Sequence, residues 1–210
     1  MKILYTGFAP FDGEIVNPSF ESLHLLPNTI EGANVLRQEL PTTFESAGKL
    51  LVEMVTHERP DIVICVGQAG GRAAVTPEFV AINYRSAHIP DNDGFQPIGE
   101  PIREDGSVGF FSKIPVHRIA DRCRKNGIPA SVSYTAGTYV CNNLMYTLLY
   151  AIDTQFPTML GGFIHVPYSA EQAVSKTPMP PSMDLRMMAT ALRIAGEETL
   201  SVKLKKERPF

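Results

Sequence analysis

The run Ile62-Val63-Ile64-Cys65-Val66 contains no polar side chain and ends at Gly67-Gln68-Ala69-Gly70-Gly71-Arg72. A short apolar run without alternation predicts a strand covered on both faces, as in the middle of a parallel sheet. The glycine-rich tail marks the loop beyond that strand's carboxyl end, where open α/β sheets bind ligands.

Outward from this strand, helical and extended patterns alternate. Upstream, Phe44, Ala47, Leu51, Met54 and Val55 recur at helical spacing, and Thr42 and Glu45 have capping-box spacing. Residues 34–39 and 2–6 read as strands, the latter followed by the loop Gly7-Phe8-Ala9-Pro10-Phe11-Asp12-Gly13. Asn17 then fits a helix N-cap with Pro18 at the first helical position, ahead of Phe20, Leu23 and Leu26. Downstream, residues 81–83 and 131–134 suggest strands, and 116–125 and 142–153 suggest helices. Residues 163–166 form a further strand stopped by Pro167, and a last helix begins near Ser182, with Leu185, Met188, Ala189 and Leu192 on one face. Residues 85–115 are rich in Pro, Gly and Asp and read as a long irregular excursion, the kind of segment that usually serves function. The alternation predicts an α/β fold with a largely parallel sheet. A length of 210 residues without repeat or long linker fits one domain spanning 1–210.

Composition narrows the function classes. Apolar residues make up 44% and charged residues 20%, and the net charge is −3 with no basic stripe, so the electrostatic footprint of a nucleic-acid binder is missing. The apolar run at the N-terminus is too short for a signal peptide, and no stretch reaches the roughly 18 apolar residues of a membrane span, so the expected compartment is the cytoplasm. Cys65, Cys123 and Cys141 are odd in number and widely spaced, which suggests reduced thiols rather than a disulfide framework or a zinc pattern.

Several residues have the right chemistry for a site. Cys141 lies where a helix is expected to begin, and unpaired N–H groups there favour a thiolate; the competing reading is an inert core cysteine. His165, near a strand end, is either a general base or a hydrogen-bonded core histidine. Glu78 is either the group that orients the imidazole or a surface carboxylate. Phe8 and Phe11 flank Pro10 and either clamp a flat ring or fold into the core, while Gln68 is either a ligand-recognising amide or a turn residue. The Gly67–Gly71 tract lacks the Gly-Lys-Ser/Thr ending of a P-loop and the spacing of a dinucleotide fingerprint. Asp91, Asn92 and Asp93 lack the rest of a calcium loop and read as turn formers, and His24, His57, His88 and His117 have no ligand-like spacing.

Taken in order along the chain, these segments resemble the pyroglutamyl peptidase I family. The matching stretches are Thr6-Gly7-Phe8-Ala9-Pro10-Phe11, Val66-Gly67-Gln68-Ala69-Gly70-Gly71-Arg72, Thr76-Pro77-Glu78, Val80-Ala81-Ile82-Asn83 and Ile89-Pro90-Asp91-Asn92. They continue through Gln96-Pro97-Ile98, Thr135-Ala136-Gly137-Thr138, Cys141-Asn142 and Phe163-Ile164-His165-Val166-Pro167-Tyr168. The resemblance implies a thiol peptidase that hydrolyses the N-terminal pyroglutamyl residue of peptides, with a triad of Cys141, His165 and Glu78. It implies a substrate pocket of Phe8, Phe11, Gln68, Tyr139 and Val140, no cofactor, no metal, and often a homotetramer. The fold it implies is a single-domain open twisted mixed sheet, largely parallel, with helices on both faces, of the phosphorylase/hydrolase kind. This sequence departs from the family pattern at Asp12, where glycine is usual, at Tyr139, where phenylalanine is usual, and at His88, where an arginine associated with the active site is usual.

Two other readings compete. A nucleoside phosphorylase-like enzyme would need a basic phosphate site, for which Arg72 is the visible candidate. A non-catalytic binder of pyroglutamyl peptides is opposed by the intact triad and kept open by the His88 departure.

Overall fold

The computed structural model describes residues 1–205. Its strands and helices run in the order β1 (Lys2–Phe8), α1 (Pro18–Glu21), a 3-10 turn (Ser22–Leu25), β2 (Thr29–Ile30), β3 (Ala33–Leu40), α2 (Phe44–Glu58), β4 (Ile62–Gln68), β5 (Thr76–Glu78) and β6 (Val80–Ile82). Then follow β7 (Gly109–Phe111), α3 (Val116–Lys125), α4 (Val140–Thr154), β8 (Leu160–Val166), β9 (Tyr168–Ser169), α5 (Ala170–Val174), β10 (Ser182–Met183) and α6 (Leu185–Lys205). The main sheet has the order β2-β3-β1-β4-β8-β5. Its core, β3-β1-β4-β8, is parallel, and antiparallel β2 and β5 close the edges.

The apolar run thus becomes β4, paired in parallel with β1 on one side and β8 on the other. Successive side chains of a strand point to opposite faces. Ile62, Ile64 and Val66 enter one core, against α3 and α6, while Val63 and Cys65 enter the other, against α2 and α4. Each fully buried Leu or Ile in these cores contributes roughly 1.5–3 kcal/mol. The same alternation assigns Gly67 to the α4 face and Gln68 to the opposite one.

The structure corrects several sequence expectations. Residues 131–134 form no strand; Ala130 and Ser133 meet β5 only through isolated bridges to Val75 and Glu78. The Thr42/Glu45 capping box does not form. Thr43 is the N-cap of α2 without a side-chain bond, and the cap comes from Asp91, whose Oδ2 accepts from Phe44 N at 2.8 Å. Thr42 Oγ1 instead donates to Ala9 O at 2.7 Å. The last helix starts at Leu185, because Ser182–Met183 is taken up as β10 beside β9. The helix at Asn17 is capped as expected, with Ser19 N donating to Asn17 Oδ1, but it tightens into a 3-10 turn after Glu21. The 85–115 excursion is irregular except for β7, which pairs with β6. No helix among the described residues is long and apolar enough to cross a membrane.

Candidate active site

Ladder register brings the first part of the site together. His165 is opposite Gly67 across the β4–β8 ladder and opposite Thr76 across the β5–β8 ladder. Glu78, paired with Phe163, therefore shares the α4 face with His165. Its Oε1 lies 2.7 Å from His165 Nδ1. Both residues are buried, Glu78 completely.

Cys141 comes from the opposing layer, in the first turn of α4, where N–H groups have no partner within the helix. Its sulfur lies over Gly67: a Cβ at that position would be 2.9 Å from Sγ and 2.7 Å from the Phe163 ring. Only glycine leaves this space open. Because Gly67 and His165 are ladder partners, the sulfur and the imidazole stand over neighbouring strands on one face. Sγ and Nε2 are not hydrogen-bonded to each other; the ring's one bond among the described residues runs from Nδ1 to Glu78.

Burial acts on all three groups. For Glu78 it works to raise the pKa, but the hydrogen bond and charge of His165, with smaller contributions from Ser133 and Arg72, outweigh it and leave the carboxyl below its usual range. Burial holds His165 below 6.5, and the bond to Glu78 only partly offsets it. Burial pushes the Cys141 thiol up to about 12, with the Glu78 charge adding to it and Arg72 opposing. The helix terminus alone suggested a lowered thiol pKa; desolvation and a neighbouring carboxylate win instead. The resting site is thus a thiol, a neutral imidazole and a carboxylate. An ionised Glu78 requires the imidazole proton on Nδ1, which leaves the Nε2 lone pair free to accept a proton.

The pocket residues divide into groups. Phe11 is half-buried, and its ring centroid is 6.3 Å from that of Tyr139. Tyr139, the N-cap of α4, meets Phe44 edge-on at 5.3 Å and donates its hydroxyl to Pro90 O at 3.0 Å. Phe8 is only 2% exposed and packs on Phe163, which in turn touches the His165 ring, so it forms a floor and not a free clamp. Val140 is fully buried beneath the turn. Gln68 is not brought to the sulfur with its side chain: its Oε1 accepts from Gln172 Nε2 at 2.9 Å, on the other sheet face. Asp12 keeps a left-handed backbone, φ 53°, which aspartate tolerates better than most residues, so the loop retains the conformation a glycine would take. His88 is exposed.

Sequence reasoning missed two features. Arg72, considered only as a phosphate ligand, donates from NH1 to Glu78 Oε1 at 2.7 Å and to Thr76 Oγ1 at 2.6 Å, and from NH2 to Thr135 O at 3.3 Å. Asp91 and Asn92, read as turn formers, tie the excursion to the site. Asp91 caps α2, and Asn92 Nδ2 donates to Pro10 O at 2.9 Å.

Comparison with known proteins places this geometry. A family model described as pyroglutamyl peptidase matches residues 1–202. The pyrrolidone-carboxylate peptidase of Thermosipho africanus is 50% identical over 192 residues, covering 91% of this chain and 93% of that protein. The one from Enterococcus faecalis is 48% identical over 192 residues, covering 91% and 90%. Among solved structures, pyroglutamyl peptidase I of Bacillus amyloliquefaciens matches with a TM-score of 0.92 at 45% identity, covering 96% of this chain and 98% of that one. Pyrrolidone carboxyl peptidase from Thermococcus litoralis matches with a TM-score of 0.94 at 37% identity, covering 100% and 97%.

Proposed function

The chain belongs to the pyroglutamyl peptidase family, and from that premise we propose that Cys141 is its nucleophile, His165 its general base and acid, and Glu78 the carboxylate that orients the imidazole. The activity is that of the family, a cysteine peptidase that removes N-terminal pyroglutamate. The observation that carries the assignment is the His165–Glu78 bond on the sheet face over which the Cys141 sulfur lies.

Each group has a defined proton. The thiol gives its proton to His165 Nε2 as sulfur bonds to the pyroglutamyl carbonyl carbon. Glu78 accepts from Nδ1 throughout and stabilises the imidazolium. The unpaired N–H groups at the start of α4, including that of Cys141, face the developing oxyanion; in other enzymes one such donor is worth about 3–4 kcal/mol. Nε2 returns the proton to the leaving amine, the C–N bond breaks, and a thioester remains. Water, deprotonated by His165, then releases pyroglutamate and restores the thiol.

The lactam ring has no charge to grip. Phe11 and Tyr139 offer flat walls, Phe8 lies behind the imidazole, and Val140 sets the floor of the turn. Gln68 contributes through its main chain at the end of β4, because its amide is committed to Gln172. The departures at Asp12 and Tyr139 leave this arrangement intact. The same reading takes the substrates to be peptides with N-terminal pyroglutamate, the compartment to be the cytoplasm and the assembly to be a homotetramer, which light scattering on the purified protein tests.

A fluorogenic pyroglutamyl amide provides the decisive assay. Wild type turns over and is silenced by thiol alkylation, whereas Cys141→Ser and Cys141→Ala lose nearly all activity. Turnover in the two variants equal to that of wild type removes Cys141 from the mechanism.

A further inference from the structure

Glu78 is fully buried, yet both of its ordered partners converge on a single oxygen. Oε1 takes His165 Nδ1 and Arg72 NH1, each at 2.7 Å, while Oε2 has no partner among the described residues. Desolvation penalises the charge of a carboxylate so placed; the bond from His165 does most to keep it ionised, and Arg72 adds the permanent positive charge beside it. Its guanidinium is itself fixed: the nitrogen that reaches Glu78 also donates to Thr76 Oγ1, two residues earlier on β5, and the other terminal nitrogen donates to Thr135 O.

We propose that Arg72 is a positioning residue for the acyl transfer: it holds Glu78 as a carboxylate, by the oxygen that takes the imidazole N–H, and so keeps Nε2 free and directed at the sulfur. The inference rests on the roles assigned above to Cys141, His165 and Glu78.

Charge counting supports it. The groups around Glu78 come from every neighbouring element: Thr76 from β5, His165 from β8, Cys141 from α4, Arg72 from the loop after β4, and Ser133 and Thr135 from the segment bridged to β5. Of these, only Arg72, His165 and Cys141 carry or acquire charge. With Arg72 present, a thiolate–imidazolium pair forms beside an already neutral Arg–Glu pair. Without it, the buried site is net negative whenever Glu78 is ionised, and the thiolate is opposed. The guanidinium acts on Cys141 in the matching direction, favouring the thiolate.

The pH consequence has a definite sign. Glu78 must be ionised for Nδ1 to carry the proton. Removing Arg72 raises the pKa of His165, whose protonation sets the acid limb, as well as that of Glu78, so activity is lost at a higher pH as the medium is acidified and the limb moves up.

The test compares Arg72→Gln, Arg72→Lys and Arg72→Ala with wild type and Cys141→Ala, using the fluorogenic pyroglutamyl amide across pH. Arg72→Gln is expected to lose on the order of 100-fold in kcat, the scale of a misdirected catalytic group, with KM little changed. Its acid limb should rise by about one pH unit or more. Arg72→Lys should recover part of both losses. A cavity of about 370 Å³ lined by Arg72, Ala73, Ala74, Thr76 and Ser133 opens beside the guanidinium, so added guanidinium ion should restore activity to Arg72→Ala. If Arg72→Gln does not fold, the acid limb of Arg72→Lys decides: a rise supports the role, and a wild-type limb overturns it. A wild-type rate and acid limb in Arg72→Gln also overturn it. So does a lower rate with an unmoved limb and no response to lysine or guanidinium, which marks Arg72 as structural only. Cys141→Ala separates the two layers: if it still turns over, the nucleophile assignment has failed, and if it is dead while Arg72 is dispensable, only this inference has.

Discussion

On the sheet side of the site, His165, Glu78 and Thr76 stand on adjacent strands, β8 and β5, and their separation is set by ladder register. On the loop side, Phe11, Pro90 and Tyr139 come from three distant segments joined by single side-chain bonds to main-chain carbonyls: Asn92 to Pro10, Thr42 to Ala9 and Tyr139 to Pro90. The first is buried and resists movement; the second is partly exposed and adjustable. Groups that exchange protons need tolerances that a strand ladder supplies, whereas a wall that meets a flat ring needs only shape. Changes on the sheet side should therefore act on kcat, and changes on the loop side on KM.

The largest effect expected is at His165. His165→Ala should lower kcat by about 10²–10⁴-fold, the usual contribution of a general acid–base group, and leave KM nearly constant. A kcat within a few-fold of wild type would show that the ladder-held imidazole is not the base. The wild-type profile carries the same information. Since burial lowers the pKa of His165, the protonated, inactive ring appears only below 6.5, and the acid limb of kcat/KM should lie below that value. With the thiol raised to about 12, iodoacetamide inactivation should keep climbing with pH through the alkaline range. A pH-independent plateau below neutrality would mean a preformed thiolate–imidazolium pair instead.

Gly67→Ala attacks the same side without replacing a reacting group. The new methyl would meet Sγ and the Phe163 ring closer than any real contact allows, so the sulfur must move. A displacement of that size costs on the order of 100-fold in kcat. Overpacking should also destabilise the fold by about 1–3 kcal/mol, which urea denaturation measures. Full activity would show that α4 shifts at little cost and that the sheet side is less rigid than its register suggests.

How much of this the sequence disclosed follows from how local each cause is. β4 was legible because burial on both faces leaves a run without polar residues. The start of α4 at Val140 was legible to within two residues, and Pro167 marked the end of β8. The antiparallel edge strand β5 was not, since three residues containing a proline carry no strand signature and proline is tolerated only at such an edge. Residues 131–134 have the composition of a strand, yet they form only a bridge. The Arg72–Glu78 pair was invisible because it depends on a register between segments that no spacing reveals, and the cap of α2 because its acceptor is 47 residues away. Both lie in tertiary contact, where local pattern has nothing to say.

Asp91→Ala tests the loop side at its anchor. It removes the cap from Phe44 N and two further bonds, to Asp93 N and Phe95 N. Loss of a cap costs about 0.5–2 kcal/mol, which a fall in urea midpoint would register. KM should rise, because the wall behind Tyr139 loosens, while kcat at saturation stays close to wild type. A fall in kcat with unchanged KM would place the excursion on the catalytic side of the divide.

The smallest effect belongs to Tyr139→Phe, which deletes one hydroxyl and restores the residue usual at that position. The ring keeps its contacts with Phe11 and Phe44, and only the bond to Pro90 O is lost. A hydrogen bond near the surface returns its partners to water, so its net worth is about 0.5–1.5 kcal/mol. Spread over a loop already held at Asp91 and Asn92, this predicts at most a severalfold rise in KM, with kcat and the acid limb unmoved. Tyr139 stands two residues before Cys141, so a change in kcat or in the pH profile would mean that the loop side reaches the sulfur through the start of α4, and the division between the two walls would fail where they meet.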